Sequence, residues 1–240
     1  MTYTEQDRAA LSERAAQIIA RYPQSRSALL PLLHLVQAHE GFVSTDGIAY
    51  CAERLGLSEA DVTAVVTFYT MYKRRPVGEY HVGVCTNTLC AIMGGDAIYA
   101  DLRAYLGTEG DDPTPDGKVS LEHIECNAGC DYAPVVMVNW EFFDNITPES
   151  ARELVDGLRS GADVKPTRGA PRLVNWKEAA TILAGFPDDQ ATKGDTAGHP
   201  TLAGLRIAKE HGWTPDPPSD TAPSASGNTA RSAPSNGGRQ

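Results

Sequence analysis

The sequence predicts an α/β protein of 240 residues, in which a helical bundle is followed by a small domain built on a mixed β-sheet. Two observations lead to this prediction. In residues 1–78 apolar side chains recur every three or four positions, as in amphipathic helices. From residue 79 the pattern changes to short strands and helices, and four of the five cysteines lie just after predicted strands. This change of period is the predicted boundary between the two domains.

Four helices are predicted in the N-terminal bundle, from local start and stop signals. Ser27 is predicted to cap the second helix, and Gly41 to end it. Ser58 and Asp61 resemble a capping box at the start of the fourth. Cys51 falls on the apolar stripe of the third helix, so we expect a buried structural thiol there. The predicted helices span residues 4–21, 27–41, 44–56 and 58–69.

The second predicted domain, residues 79–165, has the order strand, helix, strand, strand, helix. This order is the plan of a thioredoxin-like fold, in which the first strand is parallel to the second and antiparallel to the third. The loops after the first two strands then lie at one end of the sheet. The bond between Ala133 and Pro134 is a candidate cis peptide bond. The predicted strands span residues 80–84, 119–125 and 134–139, and the helices span residues 94–106 and a segment that Thr147 caps.

The cysteines in this domain form two closely spaced pairs. Cys85 and Cys90 are separated by four residues, and Cys126 and Cys130 by three. Thiolates are the soft ligands that iron-sulfur clusters select, and four of them complete a [2Fe-2S] site. No cysteine follows two residues after Cys90, so the pattern is not that of a plant-type ferredoxin. The pairs predict a different four-cysteine cluster site, and hence an electron carrier.

The sequence allows three other interpretations, two of the cysteines and one of residues 46–75. Four thiolates also suit a structural zinc ion in a binding or regulatory module. Two disulfides would need an oxidising compartment, and the N-terminus lacks the apolar core of a signal peptide. Residues 46–75 also resemble a helix-turn-helix whose Lys73, Arg74 and Arg75 touch phosphate, although basic residues at a helix end more often match the helix dipole.

The net charge of −10 is concentrated in the cysteine-bearing segment, because residues 79–165 carry 16 acidic and 5 basic side chains. Negative charge around an anionic cluster disfavours reduction, so the sequence predicts a low reduction potential. The same acidity argues against nucleic acid as a partner. No apolar run approaches the ~20 residues of a membrane span, so no direct membrane insertion is expected.

The regular spacing of apolar side chains becomes weaker after residue 165. Two amphipathic pieces, residues 176–183 and 202–211, cannot bury their apolar faces alone, so each is expected to lie on the core or on a partner protein. Residues 166–213 are therefore predicted to be a partner-binding extension. Pro, Ser, Gly and Ala dominate from residue 214, which predicts a disordered tail over residues 214–240.

The chain resembles the thioredoxin-like [2Fe-2S] ferredoxin family to which the E subunit of NADH-quinone oxidoreductase (respiratory complex I) belongs, over roughly residues 10–185. The cysteine spacing carries most of the resemblance. The supporting stretches are RSALLPLLH at 26–34, VTFY at 66–69, VC at 84–85 with Cys90, CNAGC at 126–130 and AP at 133–134.

This resemblance implies that Cys85 and Cys90 ligate one iron of a [2Fe-2S] cluster and that Cys126 and Cys130 ligate the other. It implies that FMN and NADH are bound by a partner flavoprotein subunit, so no catalytic site is expected on this chain alone. The implied location is the cytoplasmic side of the membrane, as a peripheral part of complex I. Related subunits in NAD-linked hydrogenases and formate dehydrogenases look the same, so these host enzymes remain the alternative.

Overall fold

The computed structural model describes residues 3–108, 110–190 and 193–213. The chain divides into two compact units, Met1–Pro200 and Thr201–Gln240. The second unit contributes most of one helix, α9 (His199–Glu210). The predicted tail, residues 214–240, lies outside the described residues. Among the described residues no helix combines the length and the apolar character needed to cross a bilayer.

The N-terminal part contains four α-helices, as predicted, and most of their caps are those expected. Ser58 accepts a hydrogen bond from the Asp61 amide, and the Asp61 carboxylate accepts one from the Ser58 amide. Ser44 caps the third helix, and Gly41, at φ 93°, ends the second. The helices are α1 (Glu5–Ile19), α2 (Leu29–Glu40), α3 (Thr45–Leu55) and α4 (Glu59–Phe68).

The predicted cap at Ser27 is wrong. Ser27 lies inside a 3₁₀ turn, Ser25–Ala28, and its amide donates to the Gln24 carbonyl over 3.0 Å. A residue in a helical turn does not have the extended backbone that a cap needs, so its hydroxyl cannot reach the following amides. The helix α2 therefore begins at Leu29, without a side-chain cap.

The bundle closes around an apolar core to which all four helices contribute. Cys51 is fully buried in this core, as predicted. Burial, together with the nearby Glu40 carboxylate, raises the pKa of Cys51 to about 12, so the thiol stays protonated and unreactive.

The second part is a four-stranded sheet of β1 (Tyr80–Cys85), β2 (Val119–Ile124), β3 (Val136–Val138) and β4 (Glu141–Phe143), in the order β2-β1-β3-β4. The central strand β1 (Tyr80–Cys85) is parallel to β2 (Val119–Ile124), with Cys85 opposite Ile124. It is antiparallel to β3 (Val136–Val138). This topology confirms the predicted parallel and antiparallel pairings. Ala133–Pro134, just before β3, is a cis peptide bond.

The short strand β4 (Glu141–Phe143) was not predicted. It pairs with β3 through a two-residue turn in which Asn139 and Trp140 have φ angles of 49° and 73°. Such turns usually contain glycine, and tryptophan rarely adopts this conformation. The sequence therefore lacked the signal for a hairpin.

Two helices, α6 (Gly95–Leu106) and α7 (Pro148–Ser160), pack against one face of the sheet. Alternation along β1 directs Val82 and Val84 into this core and places His81 and Cys85 on the opposite face. The capping of α7 by Thr147, with Pro148 at its first position, is confirmed. Cys85 thus ends a rigid central strand on the face that these helices leave free.

After α7 the chain returns to the N-terminal bundle. The helix α8 (Trp176–Leu183) packs against α2, and the indole Nε1 of Trp176 donates to the Gly41 carbonyl over 2.6 Å. Lys177 donates to the carbonyl of His39. The apolar face of this piece is therefore covered by the protein's own core. That residues 166–213 bind a partner stays a prediction.

A buried polar group joins the bundle to the sheet. The Nε2 of His81 lies 2.6 Å from a Glu122 carboxylate oxygen, and Lys73, between α4 and β1, forms an ion pair with the same carboxylate. Trp140 and Trp176 flank the His81 ring at centroid distances of 5.2 and 5.4 Å. Burial opposes ionisation of Glu122, but hydrogen bonds and charge from His81 and Lys73 outweigh it and lower the pKa to about 2. Since α4 ends at Phe68, Lys73 does not lie at a helix end.

His34 makes the protein sensitive to mild acid. Its ring is buried in α2 against Tyr72, and its Nδ1 has no hydrogen-bond partner among the described residues. Burial lowers the pKa of His34 from 6.5 to about 4. As the pH falls, His34 is therefore protonated in the unfolded chain at a higher pH than in the folded chain. The contribution of neutral His34 to stability is fully present above pH ~6.5 and is lost as the pH falls toward about 4.

We expect the free energy of unfolding to fall by ~2 kcal/mol between pH 7 and pH 5 because of His34 alone, at ~1.4 kcal/mol for each pH unit below ~6.5. Burial lowers the pKa of His81 as well, which acts in the same direction. Urea unfolding of the purified chain at both pH values measures the loss. His34→Gln should reduce it, and the matched change at the exposed His123 should not. An equal pH dependence in His34→Gln and the unaltered chain would contradict this account.

Candidate metal centre

The four candidate ligands come from the ends of two neighbouring parallel strands. Cys85 is the last residue of β1, and Cys126 follows two residues after β2 ends. Cys130 opens a 3₁₀ turn, Cys130–Tyr132. Because β1 and β2 are parallel and in register from Tyr80 to Cys85, both cysteine-bearing segments leave the sheet at the same edge.

Cys90 lies on a short helix, α5 (Thr88–Ile92), where a loop was predicted. The amide of Ala91 donates to the Asn87 carbonyl over 3.1 Å, and that of Met93 to the Leu89 carbonyl over 2.9 Å. This segment contains neither glycine nor proline, the two residues that most strongly oppose a helical turn. The turn carries Cys90 back toward Cys85.

The spacing within each pair suits two ligands on one metal ion. The sulfurs of Cys126 and Cys130 lie 3.6 Å apart. Two thiolates bound at ~2.3 Å to a tetrahedral ion lie ~3.8 Å apart, so this pair needs almost no adjustment. The thiol of Cys90 lies close enough to that of Cys85 for Cys85 to raise the pKa of Cys90.

The two pairs also lie close enough to influence each other's charge. Burial and, more weakly, the Cys85 and Cys130 thiols raise the pKa of Cys90 to about 11, against the backbone of Val135, which lowers it. The pKa of Cys130 is raised by hydrogen bonding to Cys126, by the charge of Cys126 and, more weakly, by that of Cys85. Four thiolates without a metal would repel one another, so this grouping of sulfurs favours a bound cation.

The donor set fits a two-iron cluster better than a single ion. Among the described residues, no three His, Cys, Asp or Glu side chains are grouped closely enough to hold one metal ion. A structural zinc site needs four ligands around one ion, whereas a [2Fe-2S] cluster takes two cysteines at each iron. Two separate pairs of thiols match the second requirement.

The pairs differ in exposure. Cys85 and Cys90 are each 2 % exposed and pack with Ile124, Val135 and Met137, whereas Cys126 and Cys130 are exposed. A group held between the pairs would have one protected side and one side open to solvent.

Backbone contacts around the sulfurs were only partly predictable. Asn87 lies in the first cysteine segment, and its side-chain amide donates to the Ile124 carbonyl over 3.2 Å, which ties this segment to β2. A backbone amide does donate to one of the sulfurs, since the amide of Ala128 lies 3.4 Å from Cys126 Sγ. Ala128 has a φ angle of 57°, in the left-handed region, and its residue type does not predict this conformation.

Gly95, the first residue of α6, allows the first pair to form. A Cβ at this position would lie 2.4 Å from the Cys85 carbonyl oxygen and 2.9 Å from that of Cys90. No real Cβ approaches backbone that closely, so only glycine lets α6 begin directly against both cysteines. The sequence pattern places Gly95 in a helix and indicates no further role for it.

Comparison with known proteins places these features in a family. The family model described as thioredoxin-like [2Fe-2S] ferredoxin matches residues 15–159. The E subunit of NADH-quinone oxidoreductase from Mycobacterium tuberculosis (strain H37Rv) is 60 % identical over 204 residues, covering 85 % of this chain and 81 % of that protein.

More distant relatives have related names. The corresponding NADH-quinone oxidoreductase E subunit of Rickettsia bellii is 40 % identical over 149 residues, which cover 61 % of this chain and 89 % of that protein. NADH dehydrogenase [ubiquinone] flavoprotein 2, mitochondrial, of Dictyostelium discoideum is 33 % identical over 162 residues, covering 66 % and 64 %. The predicted family and fold are confirmed, and the chain belongs to the thioredoxin-like [2Fe-2S] ferredoxin family.

Proposed function

We propose that this chain is the electron-transfer subunit of the NADH dehydrogenase module of an NADH-quinone oxidoreductase. In this role one [2Fe-2S] cluster, held by Cys85, Cys90, Cys126 and Cys130, exchanges single electrons with FMN on a partner subunit. The observation that carries the proposal is the grouping of four thiols in two pairs, within a chain 60 % identical to the E subunit of such an enzyme. The relatives' names confirm the predicted class, an oxidoreductase subunit.

The chain's own residues would hold and insulate the cluster. Cys85 and Cys90 would bind one iron on the buried side, and Cys126 and Cys130 would bind the other on the exposed side. The Ala128 amide, already directed at Cys126, would donate a hydrogen bond to that thiolate. The bound cluster supplies reversible one-electron chemistry. No bond in a substrate is made or broken on this chain.

We assign FMN and NADH to a partner flavoprotein subunit that docks near the cysteines. The helix α5 supports this assignment, because Leu89, Ile92 and Met93 are 41 %, 76 % and 56 % exposed beside Cys90. An apolar group of this kind marks a protein contact more often than a free surface. The other subunits of the complex would anchor the chain peripherally, on the cytoplasmic side of the membrane. The acidic composition gives no support to a nucleic-acid partner.

Metal and sulfide analysis tests the cluster directly. We expect about two irons and two acid-labile sulfides per chain, with a visible absorption that dithionite bleaches. Colourless protein containing stoichiometric zinc and no sulfide would instead establish a zinc-stapled module and refute the proposal.

Co-purification tests the host enzyme. A tagged chain isolated from detergent-solubilised membranes of its own source should retain a subunit with bound FMN, together with membrane-embedded subunits of a quinone-reducing complex. Recovery with a hydrogenase or a formate dehydrogenase would establish the alternative host. Reconstitution of NADH-dependent reduction of the cluster by the co-purified flavoprotein would then show the direction of electron flow.

A further inference from the structure

An arginine from the C-terminal extension reaches the second cysteine segment. The chain after α7 runs along the outer edge of β4, where Arg168 forms an antiparallel β-bridge with Phe142. The amide of Thr167 donates to the Phe142 carbonyl over 2.9 Å. This pairing extends the sheet by one bridge and fixes the backbone from which the Arg168 side chain departs.

The Arg168 guanidinium is buried and stacked. Its side chain is 14 % exposed, and its central carbon lies 4.0 Å from the centroid of the Phe142 ring and 5.1 Å from that of Tyr132. Its Nε lies 3.0 Å from a carboxylate oxygen of Asp144, whose side chain is 7 % exposed. The pair is thus a largely desolvated cation and anion, the setting in which charge acts most strongly on its surroundings.

The free end of the guanidinium lies against the loop between Cys126 and Cys130. A Cβ built on Gly129 would lie 2.5 Å from Arg168 Nη2 and 3.0 Å from Phe142 Cε1. Gly129 therefore gives the guanidinium room to lie directly on the backbone next to Cys130. This contact puts a fixed positive charge beside the more exposed pair of candidate ligands.

The nitrogen at this end, Arg168 Nη2, is buried and has no hydrogen-bond acceptor among the residues that the structure describes. A buried N–H group of a charged side chain is costly when it is left without an acceptor or a counter-charge. Asp144, the carboxylate that forms an ion pair with this side chain, lies at Nε, which also has no hydrogen-bond partner in the part of the chain that the structure describes. A four-thiolate cluster held by the neighbouring cysteines would supply the missing negative charge.

We propose that Arg168 raises the reduction potential of the [2Fe-2S] cluster by stabilising its reduced form. The proposal rests on the function proposed above. Adding one electron to the cluster makes it one unit more negative, so a nearby buried cation attracts the reduced form more than the oxidised form. Asp144 opposes this effect in part. Arg168 thereby offsets the acidity of residues 79–165, which by itself would lower the potential.

A redox titration of four variants, monitored by EPR of the reduced cluster, tests the proposal on the full chain. Arg168→Gln should lower the equilibrium constant for one-electron reduction about tenfold, which is a shift of ~59 mV to more negative potential. Arg168→Lys, which keeps the charge, should recover most of the loss. Asp144→Asn should shift the potential in the positive direction. Arg8→Gln removes an arginine paired with Glu53 in the bundle and should leave the potential unchanged.

Opposite shifts in Arg168→Gln and Asp144→Asn would establish an electrostatic role, since a purely structural disturbance has no reason to follow the sign of the charge removed. Unchanged potentials, or shifts in the same direction, would overturn it. If Arg168→Gln fails to retain its cluster, the Arg168→Lys and Asp144→Asn values decide, and an unshifted Asp144→Asn overturns the inference. A wild-type chain without iron and sulfide would refute the proposed function instead.

Discussion

Replacing Cys126 with alanine is expected to abolish stable binding of the [2Fe-2S] cluster. Alanine offers no ligand atom, and the sulfur of Cys130, now 3.6 Å from its partner sulfur, would be left as the only thiolate at its iron. A two-iron cluster held by three ligands on an exposed edge should lose iron to solvent and chelators. Iron and sulfide content after purification, and the EPR signal of the reduced protein, measure the loss.

Cys51→Ala is the matched control for this prediction. It removes a cysteine that is fully buried in the bundle core and lies on α3, away from both pairs. Its cost should be limited to ~1 kcal/mol of folding free energy from lost packing, with the cluster retained. Full iron and sulfide in Cys126→Ala, or loss of the cluster in Cys51→Ala, would show that the ligands have been assigned wrongly.

Gly95→Ala should have the second largest effect, because it introduces one methyl group where backbone already lies. The added carbon would lie 2.4 Å from the Cys85 carbonyl oxygen and 2.9 Å from that of Cys90. Backbone cannot rotate away as a side chain can, so α6 must move or the two cysteines must separate. We expect the free energy of unfolding to fall by about 2–3 kcal/mol. Displacing Cys85 and Cys90 should also reduce cluster content.

Urea unfolding and iron content, measured on the same preparation, check this expectation. Gly204→Ala is the control, because Gly204 lies within α9, has open space around its Cβ position and lacks a left-handed backbone. That change should be neutral or should stabilise the helix by up to ~1 kcal/mol. Stability and iron content of Gly95→Ala that equal those of the unaltered chain would mean that the contact at Gly95 relaxes without consequence.

The local features of this fold were predictable because their causes are local. The Ser58 and Asp61 capping box, the Gly41 helix end and the Pro148 helix start each depend on residues within one turn of chain. The prediction was wrong where the same residues can form more than one local structure. At Ser27 a 3₁₀ turn formed in place of a capped helix start, and at Asn139 and Trp140 a tight turn formed without glycine.

The candidate site divides in the same way. Four cysteines at two short spacings indicated a cluster, because ligand chemistry is a property of residue type and separation along the chain. Two of the contacts that shape the site come from far along the sequence: Asn87 reaches Ile124, and Arg168 lies on Gly129. The third, between Gly95 and Cys85, joins residues only ten apart but depends on how α6 packs against the end of β1.

The amino-acid sequence by itself determined the helical bundle, the strand and helix order of the second domain, and the four thiols that define its chemistry. The tertiary structure alone decided which pair is buried, which glycine the cysteines need as a neighbour, and which charge lies beside them. The physical reason is how far apart along the chain the interacting residues lie. Caps, periodicity and ligand spacing act over a few residues, whereas desolvation and charge depend on atoms brought together from segments more than 35 residues apart, such as Gly129 and Arg168.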